Sequence, residues 1–358
     1  MKIAFVHEYL VKKGGAERVL QRFLKVYPRA DLFCIVYDQK VAKSLIGNRK
    51  IYASFLQKIP FAVSKYQLFL WLMPKAVENC DFSGYDIVFT SSHSFAKWIN
   101  INHQTKHICY CHTPTRYLWL DQKEHISRSQ YFGPLKWLMP KILKKFKKID
   151  FEKAQKVDLF LANSKNVQKR IKKFYKRDSQ VLYPPVNCEF YKWQKLPREN
   201  FYLFVSRLEP HKNPDLAVEA FNKLRLPLKI VGAGTMDAEL KKNARKNIEF
   251  LGEVSDKKLR ELYNTCQALI FPQEEDFGIV PVEAQSCGSP VIAFARGGAL
   301  ETIENNKTGL FFEKQNKESL ISAVQTFQKE NFDSKYISTW AKKFDEKKFE
   351  EGLKRIIQ

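Results

Sequence analysis

The stretch Glu275-Asp276-Phe277-Gly278-Ile279-Val280-Pro281-Val282-Glu283 decides how the rest of the chain is read. Two carboxylates flank a glycine turn, and the pattern predicts a helix just after it. Pro281 suits a first helical turn, where its missing N–H costs nothing. Glu283 is expected in that first turn and Glu275 on the loop before it. The backbone N–H groups of Gly278, Ile279 and Val280 would then face whatever docks there, and a helix start favours an anion such as phosphate. Carboxylates on either side accept hydrogen bonds from hydroxyls. An anion seat between two hydroxyl clamps suits a nucleotide-sugar. An acidic surface loop that merely caps a helix fits the same residues.

The sequence continues with Ala284-Gln285-Ser286-Cys287-Gly288-Ser289-Pro290-Val291-Ile292-Ala293 and then Arg296-Gly297-Gly298-Ala299. Taken with Glu275 to Glu283, this resembles the retaining glycosyltransferases of family 4. The family has a Glu-x7-Glu element followed by Ala-x-x-x-Gly-x-Pro-Val-Ile and a Gly-Gly turn. Asp276 departs from the family's usual glycine. The Glu-Asp-Phe-Gly-Ile form is similar to bacterial mannosyltransferases of polysaccharide and O-antigen assembly. The resemblance covers most of the chain and is weakest between Lys40 and Ser83. It implies an α/β chain of the GT-B fold: two Rossmann-like, doubly wound parallel-sheet domains facing across a cleft.

Composition agrees with a two-domain enzyme. The 358 residues suit two domains of roughly 100–200 residues each, and a hydrophobic share of 44% fills two cores. No apolar run approaches the ~20 residues of a membrane span, and the first apolar run is too short for a signal peptide. Seven scattered cysteines, with Cys109 and Cys111 at neither a redox nor a zinc spacing, suggest reduced thiols and a cytoplasmic protein. An excess of 61 Lys plus Arg over 38 Asp plus Glu gives a net charge of +23 and implies an anionic partner, either a phosphorylated substrate or an anionic membrane. Nucleic acid is disfavoured, because no binding fingerprint appears and the basic runs lack interleaved aromatics.

From the N-terminus, Lys2 to Val6 reads as a buried strand. It leads into His7-Glu8-Tyr9 and a Gly14-Gly15 turn. A helix follows, with Val19, Leu20, Phe23 and Leu24 on one face. The turn lacks the three-glycine dinucleotide fingerprint, which disfavours hydride transfer. Tyr66 to Pro74 reads as a core helix or a lipid contact. The strand at His107 to Cys111 runs into His112-Thr113-Pro114, which puts His112 at a strand's carboxyl end, where α/β sheets bind ligands. Pro134 to Ile149 carries Leu135, Leu138, Met139, Ile142, Leu143 and Phe146 at helical spacing among six lysines. That pattern fits a basic helix at an anionic membrane surface or a helix packed on its domain; Pro140 should start or kink it. Val181 to Asn187 ends the first half, and Pro184-Pro185 with the polar stretch on to Asn200 reads as an interdomain connector. Strands alternating with helices resume at Phe201.

The expected domains are residues 1–186, completed by a terminal helix at about 340–358, and residues 198–337. The resemblance supplies the roles. Gly14 and Gly15 lie beside the donor phosphates and the acceptor. His112 sits next to the transferred sugar. Arg207 and Lys212, in the Ser206–Asn213 loop, hold the donor diphosphate. Val254 belongs to the segment lining the nucleotide base. Glu275 binds sugar hydroxyls, Glu283 the ribose, and Phe277, Gly278, Ile279 and Val280 the donor. No cofactor and no metal are expected, since no Asp-x-Asp site appears and the two cations replace the metal. The expected donor is GDP-mannose, with UDP-sugars open. The expected acceptor is a lipid-linked saccharide or polysaccharide, at the inner face of the cell membrane.

Overall fold

The computed structural model describes residues 1–120, 122 and 133–357, with the side chains of residues 133–136 also outside the description. The expected position of Leu135 on the basic helix therefore lies outside the described side chains. The chain divides into two compact units. The first is Met1–Pro184 together with the residues from Glu350 onward, and the second is Pro185–Phe349.

The first unit is built on seven parallel strands: β1 Ile3–Leu10, β2 Asp31–Tyr37, β3 Ile51–Ala53, β4 Ile87–Ser92, β5 Lys106–Cys111, β6 Leu159–Ala162 and β7 Gln180–Val181. Their order is β3-β2-β1-β4-β5-β6-β7. β1 runs four residues past Val6, so His7, Glu8 and Tyr9 belong to the strand and not to the loop after it. All eight β1 residues are buried, as expected of a parallel strand covered on both faces. On one face, the Phe5 ring meets Phe23 of the helix Gly15–Val26 at 4.3 Å and Phe89 of β4 at 5.3 Å. On the other, Ala4 and Val6 share a core with Trp98, Met139, Leu143 and Phe146.

Those last three residues come from the helix Gly133–Gln155, which contains Pro140 in its interior and runs on through Asp150 and Glu152. Part of its apolar stripe therefore packs on the domain. Trp137 and Leu138 remain exposed, at 72% and 39%. Tyr66 to Pro74 is not one regular helix. It is a kinked 3₁₀ segment, Tyr66–Leu72, followed by the short helix Met73–Glu78, with Leu70 buried and Trp71 exposed.

Six parallel strands form the second unit: β8 Tyr202–Val205, β9 Leu228–Val231, β10 Ile248–Gly252, β11 Leu269–Phe271, β12 Val291–Phe294 and β13 Gly309–Phe312, in the order β10-β9-β8-β11-β12-β13. Alternate residues feed alternate faces. Phe204, Ile230, Ile270 and Ile292 pack with Phe221 and Val324, whereas Leu203, Val231, Leu269 and Ala293 pack with Tyr263 and Ala284. Pro185 to Asn200 is no loose connector. Val186 and Tyr191 are buried, and Val186 bridges to Asp345.

In both sheets the strand order reverses direction beside the first strand. Ligands bind at such a switch point, outside the carboxyl ends of the strands. In the first unit it lies between β1 and β4, and in the second between β8 and β11. Among the described residues no helix is long and apolar enough to cross a membrane.

Candidate active site

The second unit brings the expected cation and carboxylate together. Lys212 ends a 3₁₀ turn after β8, Pro210–Lys212, and Glu275 lies on the loop after β11. Their side chains form an ion pair between Nζ and Oε1, largely shielded from solvent. Arg207 is exposed on the same loop as Lys212. The two cations also act on His211: burial first, then Lys212 and Arg207, lower its pKa to about 4. A neutral imidazole at that position leaves the positive charge of the loop to Arg207 and Lys212.

Glycines hold both loops in place. A Cβ on Gly298 would overlap the Phe277 carbonyl, while its N–H donates to the Glu275 carbonyl at 2.8 Å. The Gly-Gly turn is therefore the floor under the Glu275 loop. Gly232 has φ of 131°, and a Cβ there would overlap the Ser206 carbonyl beside Arg207.

The predicted helix after Gly278 exists, as Ile279–Ser286, with Gly278 as a left-handed N-cap and no side-chain cap. Two expectations change. Glu283 is the fifth helical residue, not part of the first turn. It is 1% exposed and accepts a hydrogen bond from the Tyr263 hydroxyl at 3.2 Å. Pro281 already occupies the third position, and two further residues, about 200° of helix rotation, carry Glu283 inward. Phe277 is buried with its ring 5.4 Å from Phe344, so only its backbone is left to face a donor. Ile279 and Val280 are half-buried at the helix start. Val254 follows β10 and packs its side chain against the core around Tyr263.

In the first unit His112 directly follows β5, as expected, and its N–H donates to the Ser92 carbonyl at 2.9 Å. Its Nε2 lies 2.8 Å from Ser91 Oγ. Burial, then the neighbouring His93 and His7, lower its pKa to about 3, so the ring is neutral at physiological pH. Gly14 and Gly15 open the helix that carries Glu17, whose carboxylate lies close under Gly14.

Sequence reasoning missed a polar cluster around this histidine. Glu8 is fully buried. Its Oε1 accepts from the N–H groups of Ser94 at 2.6 Å, Ala96 at 2.9 Å and His93 at 3.2 Å, and from Ser92 Oγ at 3.1 Å. Its Oε2 pairs with His93 Nδ1 at 2.8 Å. Burial works against this charge, yet the His93 pairing and the Ala96 N–H lower the pKa to about 2. Glu8 thereby shapes the loop after β4, at the switch point. The available signal was His7-Glu8 running straight on from an apolar strand, where buried polar groups need partners.

A second missed group lies under the loop after His112. Asp150 accepts from Lys97 at 2.5 Å, from the indoles of Trp98 and Trp119 at 2.7 Å each, from Tyr175 at 2.8 Å and from Thr115 at 3.3 Å. It ties the helix Gly133–Gln155 to the Thr113–Thr115 turn.

Comparison with known proteins agrees with this architecture. The family described as Glycosyltransferase Family 4 matches residues 13–190, and that described as Glycosyl transferases group 1 matches residues 188–344. An α-1,3/1,6-mannosyltransferase of Homo sapiens is 30% identical over 245 residues, 58% of this chain and 56% of that one. The O-antigen chain mannosyltransferase C of Escherichia coli is 26% identical over 163 residues, 43% of this chain and 44% of that one. The chain thus spans about half the length of the curated relatives it matches. Among solved structures, Anabaena HepE in complex with UDP superposes with a TM-score of 0.73 at 18% identity, over 100% of this chain and 99% of that one. Sucrose-phosphate synthase from Thermosynechococcus elongatus gives 0.74 at 16%, over 100% and 98%. With two parallel doubly wound sheets and two family matches that together run from residue 13 to 344, the chain belongs to the family 4 glycosyltransferases of GT-B fold.

Proposed function

We propose that the protein is a retaining glycosyltransferase that moves mannose from GDP-mannose to a lipid-linked saccharide or polysaccharide. The observation that carries this reading is the Lys212–Glu275 pair, set at the switch point of the second sheet beside the uncapped Gly278 helix start. Mannose is favoured by the relatives named as mannosyltransferases.

In the reaction the bond from the anomeric carbon to the diphosphate breaks, and negative charge grows on the departing oxygen. Arg207, Lys212 and the N–H groups of Gly278, Ile279 and Val280 stabilise that charge without a metal, an electrostatic contribution of several kcal/mol. Glu275 leaves its salt bridge to take sugar hydroxyls. The acceptor oxygen attacks from the face that the diphosphate leaves, passes its proton to the departing phosphate and retains the anomeric configuration. Glu283 is buried and held by the Tyr263 hydroxyl, so its role is to fix the helix that presents the Gly278, Ile279 and Val280 N–H groups. Gly14, Gly15 and His112 serve the sugar and the acceptor.

The exposed face of Gly133–Gln155 adds a location. Lys141, Lys144, Lys145 and Lys148 are exposed, and Lys141 Nζ lies 5.2 Å from the Trp137 ring. Cations around a protruding tryptophan suit an anionic bilayer surface, which supports a location at the inner face of the cell membrane. The activity is tested with purified protein against a panel of GDP- and UDP-sugars, read by thermal shift and by donor hydrolysis. GDP-mannose should stabilise and be hydrolysed. A response to UDP-sugars alone replaces the donor, and no response to any nucleotide-sugar removes the reading.

A further inference from the structure

Four residues in the first unit form a line that ends on His112. Glu17 Oε1 stands 3.5 Å from His7 Nε2. His7 Nδ1 lies 3.3 Å from Ser91 Oγ, and Ser91 Oγ lies 2.8 Å from His112 Nε2. His7, Glu17 and Ser91 are 1%, 6% and 0% exposed, so water does not compete for these contacts. Three elements contribute: His7 from β1, Ser91 from its neighbour β4, and Glu17 from the helix that Gly14 and Gly15 open. Among the described residues, the Nδ1 of His112 has no hydrogen-bond partner.

We propose that Glu17, His7 and Ser91 act as positioning residues that fix the tautomer of His112, leaving its Nδ1 as a bare acceptor for a substrate hydroxyl. The direction of the line follows from which groups can donate. The 3.5 Å contact is too long for a hydrogen bond, but a carboxylate that close favours hydrogen on the His7 nitrogen that faces it, since an ionised carboxylate only accepts. Glu17 is ionised: burial opposes its charge, but the contact with His7 holds its pKa below the ordinary carboxylate value. In the neutral ring, His7 Nδ1 is then an acceptor and takes the Ser91 hydroxyl hydrogen. The Ser91 oxygen offers only a lone pair to His112, which must place its own hydrogen on Nε2. The bond made by one ring nitrogen decides what the other can do. The opposite direction requires a doubly protonated His7 and leaves His112 with hydrogen on Nδ1, a donor where the first arrangement has an acceptor.

A hydroxyl that donates to His112 Nδ1 keeps its own lone pairs for a cation or a second donor. A phosphate oxygen, which cannot donate, is repelled. This discrimination between sugar and phosphate rests on the proposed sugar transfer, whereas the tautomer itself does not.

The test is nitrogen NMR on full-length protein labelled with ¹⁵N-histidine, with His112 assigned by its loss in His112→Gln. Two-bond proton–nitrogen correlations report which ring nitrogen carries hydrogen, with or without catalysis. Wild-type His112 should show hydrogen on Nε2 and a bare Nδ1. Ser91→Ala should give a mixture of tautomers and lower kcat for transfer by about tenfold with donor KM little changed. Ser91→Thr should restore both, and Glu17→Gln should shift the same nitrogen signals without removing the serine. Hydrogen on Nδ1 in the wild type overturns the proposal, as does Ser91→Ala or Glu17→Gln protein that folds and keeps the wild-type nitrogen signature. If the signature is as stated but no nucleotide-sugar is turned over, the functional reading fails and the tautomer assignment stands.

Discussion

Lys212 and Glu275 are 63 residues apart in sequence and joined by a salt bridge. Each follows a strand flanking the switch point of the second sheet, β8 for Lys212 and β11 for Glu275, and these two strands are direct neighbours. A parallel sheet sends both strand ends to the same edge, which is why residues from distant stretches meet there.

Lys212→Ala and Glu275→Ala should each lower kcat by about 10²–10³-fold, the range seen when one group stabilising transition-state charge is removed. Stability should change by no more than about 1 kcal/mol, because the pair is partly solvated. Steady-state transfer assays and thermal melts on the purified variants read both quantities. Wild-type turnover by either variant removes that residue from the mechanism.

Asp150 is expected to be the most costly carboxylate to remove. Asp150→Ala strands Lys97, which is 2% exposed, as an unpaired buried charge, at a cost of about 3–5 kcal/mol. The double variant Lys97→Met with Asp150→Leu should recover only part of that loss, since no charge is left buried but Trp98, Trp119 and Tyr175 still lose their acceptor. Urea unfolding of the three proteins makes the comparison. A loss below about 1 kcal/mol for Asp150→Ala would show that the hub is not needed.

Acid stability should depend on Glu8. Its pKa falls from 4.5 to about 2 on folding, so its contribution is complete above pH 4.5 and disappears as pH falls toward 2. The amount is about 3 kcal/mol, taken as an order of magnitude. His93 runs in the opposite sense. Burial opposes its charge, but Glu8 raises its pKa above 6.5, so its contribution is present below 6.5 and is lost as pH climbs through the raised folded value. Unfolding free energies of wild type and Glu8→Gln at about pH 6 and about pH 3 should therefore converge at the lower pH. Parallel curves would mean that Glu8 is not the titrating group.

Vesicle binding should be carried by the exposed face of Gly133–Gln155. Each lysine near an anionic surface contributes about 1 kcal/mol. Replacing Lys141, Lys144, Lys145 and Lys148 by Gln should weaken co-sedimentation with phosphatidylserine vesicles by more than about tenfold. Added salt should weaken the wild type in the same direction. Unchanged sedimentation of the fourfold variant would assign the lysines to solubility alone.

Local pattern was enough to read several features directly. Strands alternate with helices after Phe201 as expected, and Val19, Leu20, Phe23 and Leu24 form the buried face of their helix. His112 sits at a strand end, as the Thr113-Pro114 that follows it predicts. Each of these depends on neighbours within a turn or two, which composition and spacing record. The Gly-Gly turn was visible as a motif, but its reason, the Glu275 and Phe277 carbonyls pressed against Gly297 and Gly298, came from another loop.

What tertiary structure decided was the fate of polar and charged side chains whose partners lie far along the chain. Glu283 reads as a surface clamp, yet helix phase turns it to Tyr263. The stripe Met139, Leu143 and Phe146 reads equally as membrane-facing or core, and the Trp98 ring 5.7 Å from Phe146 settled it as core. Asp150 carries no local signature, and the one mark of His7 and Glu8 is that they run on directly from an apolar strand. Burying such groups is unfavourable until specific donors surround them, and those donors come from β4 and the loop after it, from the turn after β5 and from the helices packed on the sheet. A sequence shows which residues are expensive to bury; only the folded chain shows which partners compensate for it.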